Sequence, residues 1–238
     1  MTLTAIVPIY NEENTIEELL NRLSDIKCVD KIIAIDDNSN DKTSEILKNL
    51  EINNLVCIYN NKNFGKGYTI RQALEIAKTK YAIIQDADLE LDVNDIYKIY
   101  EKISRGDLDV VFGSRFLNKS KLEDYPKSFL LANKMFIFLL NFFTKSNFTD
   151  VLTAYKCTSV KNFKYLNTQE LHFGFDIEFP FKVGMLNQKF EDVEISFFPR
   201  TKKEGKKINI YDAFYLLYLT LSFQIRHLLS FKDKSELL

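Results

Sequence analysis

The chain has 238 residues, a formal net charge of -1 at pH 7 and three cysteines. This length suffices for one large α/β domain with a buried core, and the balanced charge gives no global reason to expect a nucleic-acid partner. Cys28, Cys57 and Cys157 lack paired spacing, which argues against a disulfide framework and against a zinc site. The first residues contain no basic segment or cleavage site typical of a secretory signal, so we expect a cytoplasmic protein.

The first half of the sequence alternates short β-branched runs with amphipathic stretches, which is typical of βαβ units and a mainly parallel sheet. We predict strands at residues 3–9, 31–35, 55–59, 81–85 and 108–112. Asn14 and Glu17 have the spacing of a capping box, so a helix is predicted to begin there, and Asp92 with Asp95 opens a later helix similarly. Ligands of open α/β sheets bind at the carboxyl ends of the strands, so functional residues are expected at that edge.

From about Tyr125 the alternation gives way to an aromatic and lysine-rich region. Two apolar runs, Phe129–Phe143 and Ile210–Phe223, are shorter than the roughly 20 residues of a membrane-spanning helix. They are consistent with buried core helices or with helices that lie in the membrane surface. No linker composition marks a boundary. We predict one main domain over residues 1–208 and a C-terminal amphipathic helical extension over residues 209–238.

Carboxylates follow two of the predicted strands. Asp86, Asp88 and Glu90 come directly after the fourth strand, and oxygen ligands of this kind suit Mg²⁺ or Mn²⁺. Such an ion offsets the charge that builds on a departing diphosphate. A solvated loop is the alternative for this DxD triplet taken alone. Asp36 and Asp37 end the second strand, where they can accept hydrogen bonds from a base or ribose, or simply belong to a capped turn.

The first strand ends in the same way, with the aromatic ring of Tyr10 and the carboxylate of Glu12. In this order and spacing the three segments resemble the family 2 glycosyltransferases, particularly the branch of dolichol-phosphate mannose synthases and polyprenyl-phosphate sugar transferases. The resemblance covers residues 3–212, and its motifs are Pro8–Glu12, Asp36–Ser39, Asn63–Gly67, Asp86–Leu89, Gly113–Arg115, Thr149–Asp150, Thr153–Lys156, Phe173–Glu178, Pro199–Thr201 and Glu204–Ile208.

The resemblance implies a GT-A fold, a Rossmann-like and mainly parallel sheet flanked by helices, and a metal-dependent hexosyltransferase activity. It assigns the metal, Mg²⁺ or Mn²⁺, to Asp86, Asp88 and Glu90, although members commonly have Gln at the position of Glu90. It assigns donor binding to residues at three strand ends and one helix start, namely Pro8, Tyr10, Glu12, Asp36, Asp37, Lys66 and Asp86.

A cluster of cations lies near the C-terminal end of the resemblance and contains Arg200, Lys202, Lys203, Lys206 and Lys207. It is either a solvated loop or a loop that binds an acceptor phosphate or closes over the donor diphosphate. The position of the cluster within the family favours the second interpretation. Arg115 is a similar candidate, with a surface salt bridge as its alternative. We predict catalytic roles for Asp88, Arg115, Asp150 and Arg200.

The identity of the acceptor determines which carboxylates the reaction needs. A sugar hydroxyl needs a carboxylate base, for which Asp150 or Asp176 is available. A phosphomonoester needs none, because its second pKa is about 6 and it is largely dianionic at neutral pH. His172 and His227 are the only histidines, and the order of residues in the sequence does not indicate a hydrolytic triad.

We therefore predict an inverting transfer of a hexose from a UDP- or GDP-sugar to a dolichyl or undecaprenyl phosphate. The protein is expected to associate peripherally with the cytosolic face of the membrane, and no nucleic-acid partner is expected. A sugar hydroxyl in cell-surface polysaccharide assembly is the alternative acceptor. A non-catalytic, membrane-associated module that binds nucleotides is the second alternative.

Overall fold

The structure is a computed structural model that describes residues 2–118, 125–200 and 210–235, with side chains described at residues 211–229 of the last range. Its strands are β1 (Leu3–Ile9), β2 (Val29–Asp36), β3 (Leu55–Tyr59), β4 (Tyr81–Ile84), β5 (Val110–Ser114), β6 (Lys156–Ser159) and β7 (Phe190–Glu194). Its helices are α1 (Ile16–Ser24), α2 (Thr43–Asn49), α3 (Lys66–Ile76), α4 (Ile96–Ser104), α5 (Lys127–Thr144), α6 (Val160–Leu166), α7 (Phe175–Met185) and α8 (Ile210–Ser235), with a 3-10 turn at Val93–Asp95.

The strands form one seven-stranded sheet in the order β3-β2-β1-β4-β6-β5-β7. The pairs β1–β2, β1–β4, β2–β3 and β5–β7 are parallel, and only β6 runs antiparallel to its neighbours β4 and β5. The predicted mainly parallel α/β sheet is therefore confirmed. Neither β6 nor β7 was predicted, because β6 is four residues long and β7 carries three acidic residues in five.

Helices cover both faces of the sheet. Leu19 and Leu23 of α1 and Ile99 of α4 pack with Val7 on one face. On the other face, residues from α3, α5, α6, α7 and α8 pack together, including Ile70, Phe136, Phe163, Phe179 and Leu216. Residues of β1 are buried almost throughout, as expected for a strand that is covered on both sides.

One local prediction is wrong. Helix α1 begins at Ile16 without a side-chain cap, so the capping box of Asn14 and Glu17 is not formed. The hydroxyl of Thr15 lies instead 2.8 Å from both a carboxylate oxygen of Glu12 and the carbonyl of Ala87. By contrast, Asp92 does cap the 3-10 turn before α4, where its side chain accepts from the backbone N–H of Asn94.

Helix α7 contains a proline within its length, at Pro180. Helix α7 begins at Phe175 and continues through Pro180 to Met185. Pro costs a helix one hydrogen bond, but the apolar side chains on both sides of it, such as Phe179 and Val183, are fully buried in the core. Tertiary packing therefore maintains the helix across the proline.

Helices α5 and α8 correspond to the two apolar runs. Each helix has one face buried in the core and another face exposed to solvent. In α5, Phe136 and Leu140 are buried while Phe138 and Phe142 are 66% and 69% exposed. In α8, buried side chains similarly alternate with exposed ones at helical spacing. The two helices contact each other and both pack on α7. Among the described residues, no helix is long and apolar enough to cross a membrane.

Candidate active site

Three neighbouring strands, β2, β1 and β4, end at the same edge of the sheet. The predicted donor-site segments follow these strands in the sequence and therefore lie at that edge. The turn after each of them contains one non-glycine residue in the left-handed region: Asn38 (φ 64°), Asn11 (φ 52°) and Leu89 (φ 58°). Asparagine tolerates this conformation, but a leucine there is strained. The turns reverse the chain sharply, so their polar side chains are gathered over the sheet edge.

The carboxylates after β2 are buried and held by the surrounding loops. Asp36 accepts hydrogen bonds from the backbone N–H of Ser39 at 3.0 Å, from the hydroxyl of Ser39 at 2.6 Å and from the hydroxyl of Ser44. Asp37 accepts from the backbone N–H groups of Phe64 and Gly65, the latter at 2.6 Å. Both carboxylates therefore order the loops beside the site, and a direct contact with a nucleoside stays a prediction.

The segment after β1 lies beside them. Pro8 and Tyr10 are half-buried, and the hydroxyl of Tyr10 lies 3.3 Å from the side-chain nitrogen of Asn40 in the turn after β2. Glu12 is 7% exposed and faces Arg200, whose two terminal nitrogens lie 2.9 and 3.1 Å from its carboxylate oxygens. The ends of the first two strands thus form one continuous surface next to Arg200.

The acidic turn after β4, residues 86–90, is surrounded by cations. Lys66 at the start of α3 lies 2.8 Å from Asp86, and Arg200 lies 3.3 Å from Asp88. The backbone N–H of Arg200 also donates to Glu90 at 2.8 Å. Burial, together with the negative charges of Asp86 and Glu90, raises the pKa of Asp88 to about 7. This turn therefore concentrates negative charge at the sheet edge.

A buried chain of alternating charges continues from Lys66 into the protein. The ammonium group of Lys66 lies 3.0 Å from one oxygen of Asp176, and that of Lys156 lies 2.9 Å from the other. Burial by itself would raise the pKa of Asp176, but Lys156 and Lys66 outweigh it and hold this pKa below its usual value. Asp176 therefore stays ionised between two lysines.

Arg115 and Asp150 form a second buried pair. The carboxylate of Asp150 accepts from Nε and Nη2 of Arg115 at 2.7 and 2.9 Å and from its backbone N–H at 3.1 Å. The guanidinium lies 5.1 Å from the ring centres of both Phe129 and Phe197, which is cation–π range. The alternative of a surface salt bridge for Arg115 is wrong, because Arg115 is 7% exposed and Asp150 is fully buried.

Sequence reasoning assigned no role to Lys156, although it is fully buried and holds Asp176. The only signal was its place in the motif Thr153–Lys156. Of the cationic loop, Arg200 is described and contacts the acidic turn. The other predicted members lie outside the described residues: Lys202, Lys203, Lys206 and Lys207.

The donor set of the acidic turn fits a hard divalent cation in chemical type, since Asp86, Asp88 and Glu90 all offer carboxylate oxygens. Their geometry differs from that of a finished metal site. Within the described ranges, no three side chains of His, Cys, Asp or Glu are arranged to hold a metal ion. Lys66 and Arg200 instead lie against these carboxylates.

A separate groove of 460 Å³ lies between α6, α7 and α8 and shares no lining residue with the acidic turn. Apolar side chains such as Phe181 and Phe223 form much of it, with Lys182 and Arg226 among the charged ones. The groove therefore lies apart from the carboxylates at the sheet edge.

Solved structures share this architecture and show which fold it is. Glucosyl-3-phosphoglycerate synthase from Mycobacterium tuberculosis, in complex with Mn²⁺, UDP and phosphoglyceric acid, aligns with a TM-score of 0.70 at 15% identity, covering 94% of this chain and 78% of that one. Mannosyl-3-phosphoglycerate synthase from Rubrobacter xylanophilus aligns with a TM-score of 0.68 at 15% identity, covering 98% and 75%. The fold is the GT-A glycosyltransferase fold, as the resemblance implied.

Residues 4–166 match the model of glycosyl transferase family 2, and the chain belongs to this family. Its homologues include polyprenyl-phosphate sugar transferases at modest identity. UDP-N-acetylglucosamine–dolichyl-phosphate N-acetylglucosaminyltransferase of Methanococcus voltae is 28% identical over 182 residues, which cover 69% of this chain and 72% of that protein.

Two further relatives are considerably longer than the matched region. Glycosyltransferase AglD of Haloferax volcanii is 24% identical over 185 residues, covering 74% of this chain and 30% of AglD. Dolichol-phosphate mannosyltransferase of Pyrococcus furiosus is 30% identical over 129 residues, covering 53% of this chain and 36% of that enzyme. The match thus spans about a third of the length of each of these two relatives.

Proposed function

We propose that this glycosyltransferase transfers a hexose from a UDP- or GDP-sugar to a polyprenyl phosphate with inversion, using Mg²⁺ or Mn²⁺. Relatives named for dolichyl-phosphate acceptors support this acceptor class. The choice of a phosphate acceptor rests on the ion pairs that the two candidate bases, Asp150 and Asp176, form within the protein. Asp150 is bound by Arg115, and Asp176 is bound by two lysines, so neither is placed as a free proton acceptor.

A phosphate acceptor fits this arrangement because it brings its own negative charge. One phosphate oxygen attacks the anomeric carbon, and the bond from that carbon to the nucleoside diphosphate breaks, with its electron pair leaving on the diphosphate. No proton has to be removed from a dianionic phosphomonoester. Catalysis then depends on orientation and on charge stabilisation at the leaving group.

The chain's own residues have distinct tasks in this proposal. Lys66 and Arg200 bind oxygens of the diphosphate, for which the planar fork of an arginine is well suited. Asp86, Asp88 and Glu90 hold the divalent ion, which when bound offsets charge on the leaving diphosphate. In this proposal the nucleoside side of the site is formed or ordered by residues at the ends of β1 and β2, namely Pro8, Tyr10, Glu12, Asp36 and Asp37.

We further propose peripheral association with the cytosolic face of a membrane through the outward faces of α5 and α8. On α8, Tyr211, Phe214 and Tyr218 are 80%, 65% and 63% exposed. Helix α5 carries lysines and no acidic residue, so it favours anionic headgroups as well as apolar insertion. Both helices pack on α7, whose first turn holds Asp176 beside Lys66. Docking through these faces would bring a lipid-borne acceptor to the layer that carries the site.

Product analysis tests the reaction. The purified chain is incubated with a panel of UDP- and GDP-sugars, Mn²⁺ and, in separate reactions, a short polyprenyl phosphate or a short glycan as acceptor, and the products are identified by mass spectrometry. We expect a polyprenyl-phosphate sugar from one donor. Transfer only to a glycan hydroxyl would establish the alternative acceptor, and donor binding without any transfer would establish the non-catalytic module.

A further inference from the structure

The acidic turn is paired with protein cations. Arg200 reaches Glu12 through two nitrogens and Asp88 through one of them, at 2.9, 3.1 and 3.3 Å. Lys66 reaches Asp86 at 2.8 Å. The two cations therefore lie against the same oxygens that the proposed function gives to a metal ion or to the donor site.

The pairing leaves one donor of Arg200 unsatisfied among the described residues. Arg200 pairs with Glu12 and Asp88, Lys66 pairs with Asp86, and Glu90 accepts from the backbone N–H of Arg200. The Nε atom of Arg200 is buried and finds no hydrogen-bond partner among the described residues. A buried donor without a partner is costly, and a phosphate oxygen is a natural acceptor for it.

We infer that Lys66 and Arg200 are internal counter-ions of the free protein, which occupy the acidic turn until a nucleoside diphosphate and its metal replace them together. This inference rests on the proposed donor site. When the diphosphate arrives, the two cations turn to its oxygens and release Asp86 and Asp88 for the metal. The exchange couples the binding of the two ligands. A metal ion alone would find Asp86 and Asp88 paired with the cations, and a diphosphate alone would find the cations paired with these carboxylates.

The coupling has an electrostatic basis. A divalent ion that approaches the nucleotide-free turn meets the positive charges of Lys66 and Arg200 within a few ångströms, and like charges at this range repel strongly in a partly buried site. The free protein therefore binds divalent metal weakly. Removal of one of the two cations is expected to tighten metal binding in the absence of nucleotide, while it weakens binding of the diphosphate.

Electron paramagnetic resonance of Mn²⁺ tests this on the protein without nucleotide. We expect Arg200→Gln and Lys66→Met each to bind Mn²⁺ at least ~10-fold more tightly than the unmodified protein, as one like charge is removed from beside the ion. Arg105→Gln is the matched control, because Arg105 pairs with Glu101 on the exposed face of α4 and should leave Mn²⁺ binding unchanged. Circular dichroism and thermal melting establish that the variants are folded.

Equal or weaker Mn²⁺ binding by folded Arg200→Gln and Lys66→Met would overturn the inference. If both variants unfold, the test is made on the unmodified protein. Mn²⁺ binding that is equally tight with and without saturating UDP or GDP would then overturn the inference. The outcome is separate from that of the proposed function. Sugar transfer by a protein that binds Mn²⁺ tightly on its own removes only the counter-ion role, whereas absence of transfer to any acceptor removes the reaction.

Discussion

At the scale of single residues, the site is built from carboxylates whose roles differ because their neighbours differ. Asp150 and Asp176 are neutralised by buried cations, while Asp86, Asp88 and Glu90 crowd one short turn. Crowded carboxylates favour a bound cation, and paired ones favour a rigid scaffold. The same residue type thus serves ligand binding in one place and positioning in another.

We expect Asp86→Asn and Asp88→Asn each to lower sugar transfer by at least ~10²-fold, because each removes a metal ligand and part of the compensation of diphosphate charge. Transfer rates are measured over a Mn²⁺ titration, with circular dichroism to verify the fold. Asp107→Asn is the matched control, because Asp107 is exposed and distant in sequence from the turn. Near-normal rates with unchanged metal dependence in both variants would exclude these two carboxylates as ligands.

Asp192 of β7 offers a test of stability against pH. One oxygen accepts from the backbone N–H and the hydroxyl of Thr149, and the other is buried without a partner among the described residues. Burial raises the pKa of Asp192 to about 6, above its value in the unfolded chain. The fold therefore favours the protonated form, and the associated stability is present at low pH and is lost as pH rises through about 6.

Relative to Asp192→Asn, the unmodified protein should lose about 1 kcal/mol of unfolding free energy between pH 5 and pH 7.5. Urea unfolding at several pH values gives the free energy of unfolding of both proteins. Titration of the other carboxylates affects both proteins alike, so its contribution cancels in the difference between them. A difference that does not change with pH would show that Asp192 titrates in its ordinary range.

At the scale of elements, α5 and α8 join the core to an exposed apolar surface. The exposed aromatic side chains of each helix recur every three or four residues, so they line one face. Phe138 and Phe142 are stacked on that face, with ring centres 6.1 Å apart. Exposed apolar faces of this kind mark interaction surfaces more often than ordinary protein surface.

We expect the protein to float with liposomes that contain anionic lipids, and we expect Phe138→Glu combined with Phe214→Glu to reduce the floated fraction strongly. Both phenylalanines are about two thirds exposed, at 66% and 65%, so the substitutions should leave the core intact. Tyr165→Glu on α6 is the control, because Tyr165 is 67% exposed but lies outside these two helices. Equal flotation of all three proteins would exclude these faces as the membrane contact.

At the scale of the whole molecule, the mainly parallel sheet and the gathering of polar residues at one edge followed from the sequence. Strand runs of β-branched residues in alternation with amphipathic stretches predict both features, since parallel strands must share an edge. The antiparallel β6 and the late edge strand β7 did not follow. Their short or acidic sequences carry no apolar period, and they become strands only because β4 and β5 provide hydrogen-bonding partners.

The sequence by itself determined the family, the strand ends that carry Glu12, Asp36 and Asp86, and the presence of a cation near residue 200. These are local signals, because a motif or a short period needs only neighbouring residues to be recognised. Tertiary structure alone decided which charges pair: Arg115 with Asp150, and Lys66 and Lys156 with Asp176. Partners that lie 20 to 110 residues apart in the chain meet only through packing, and burial then sets the strength of their interaction.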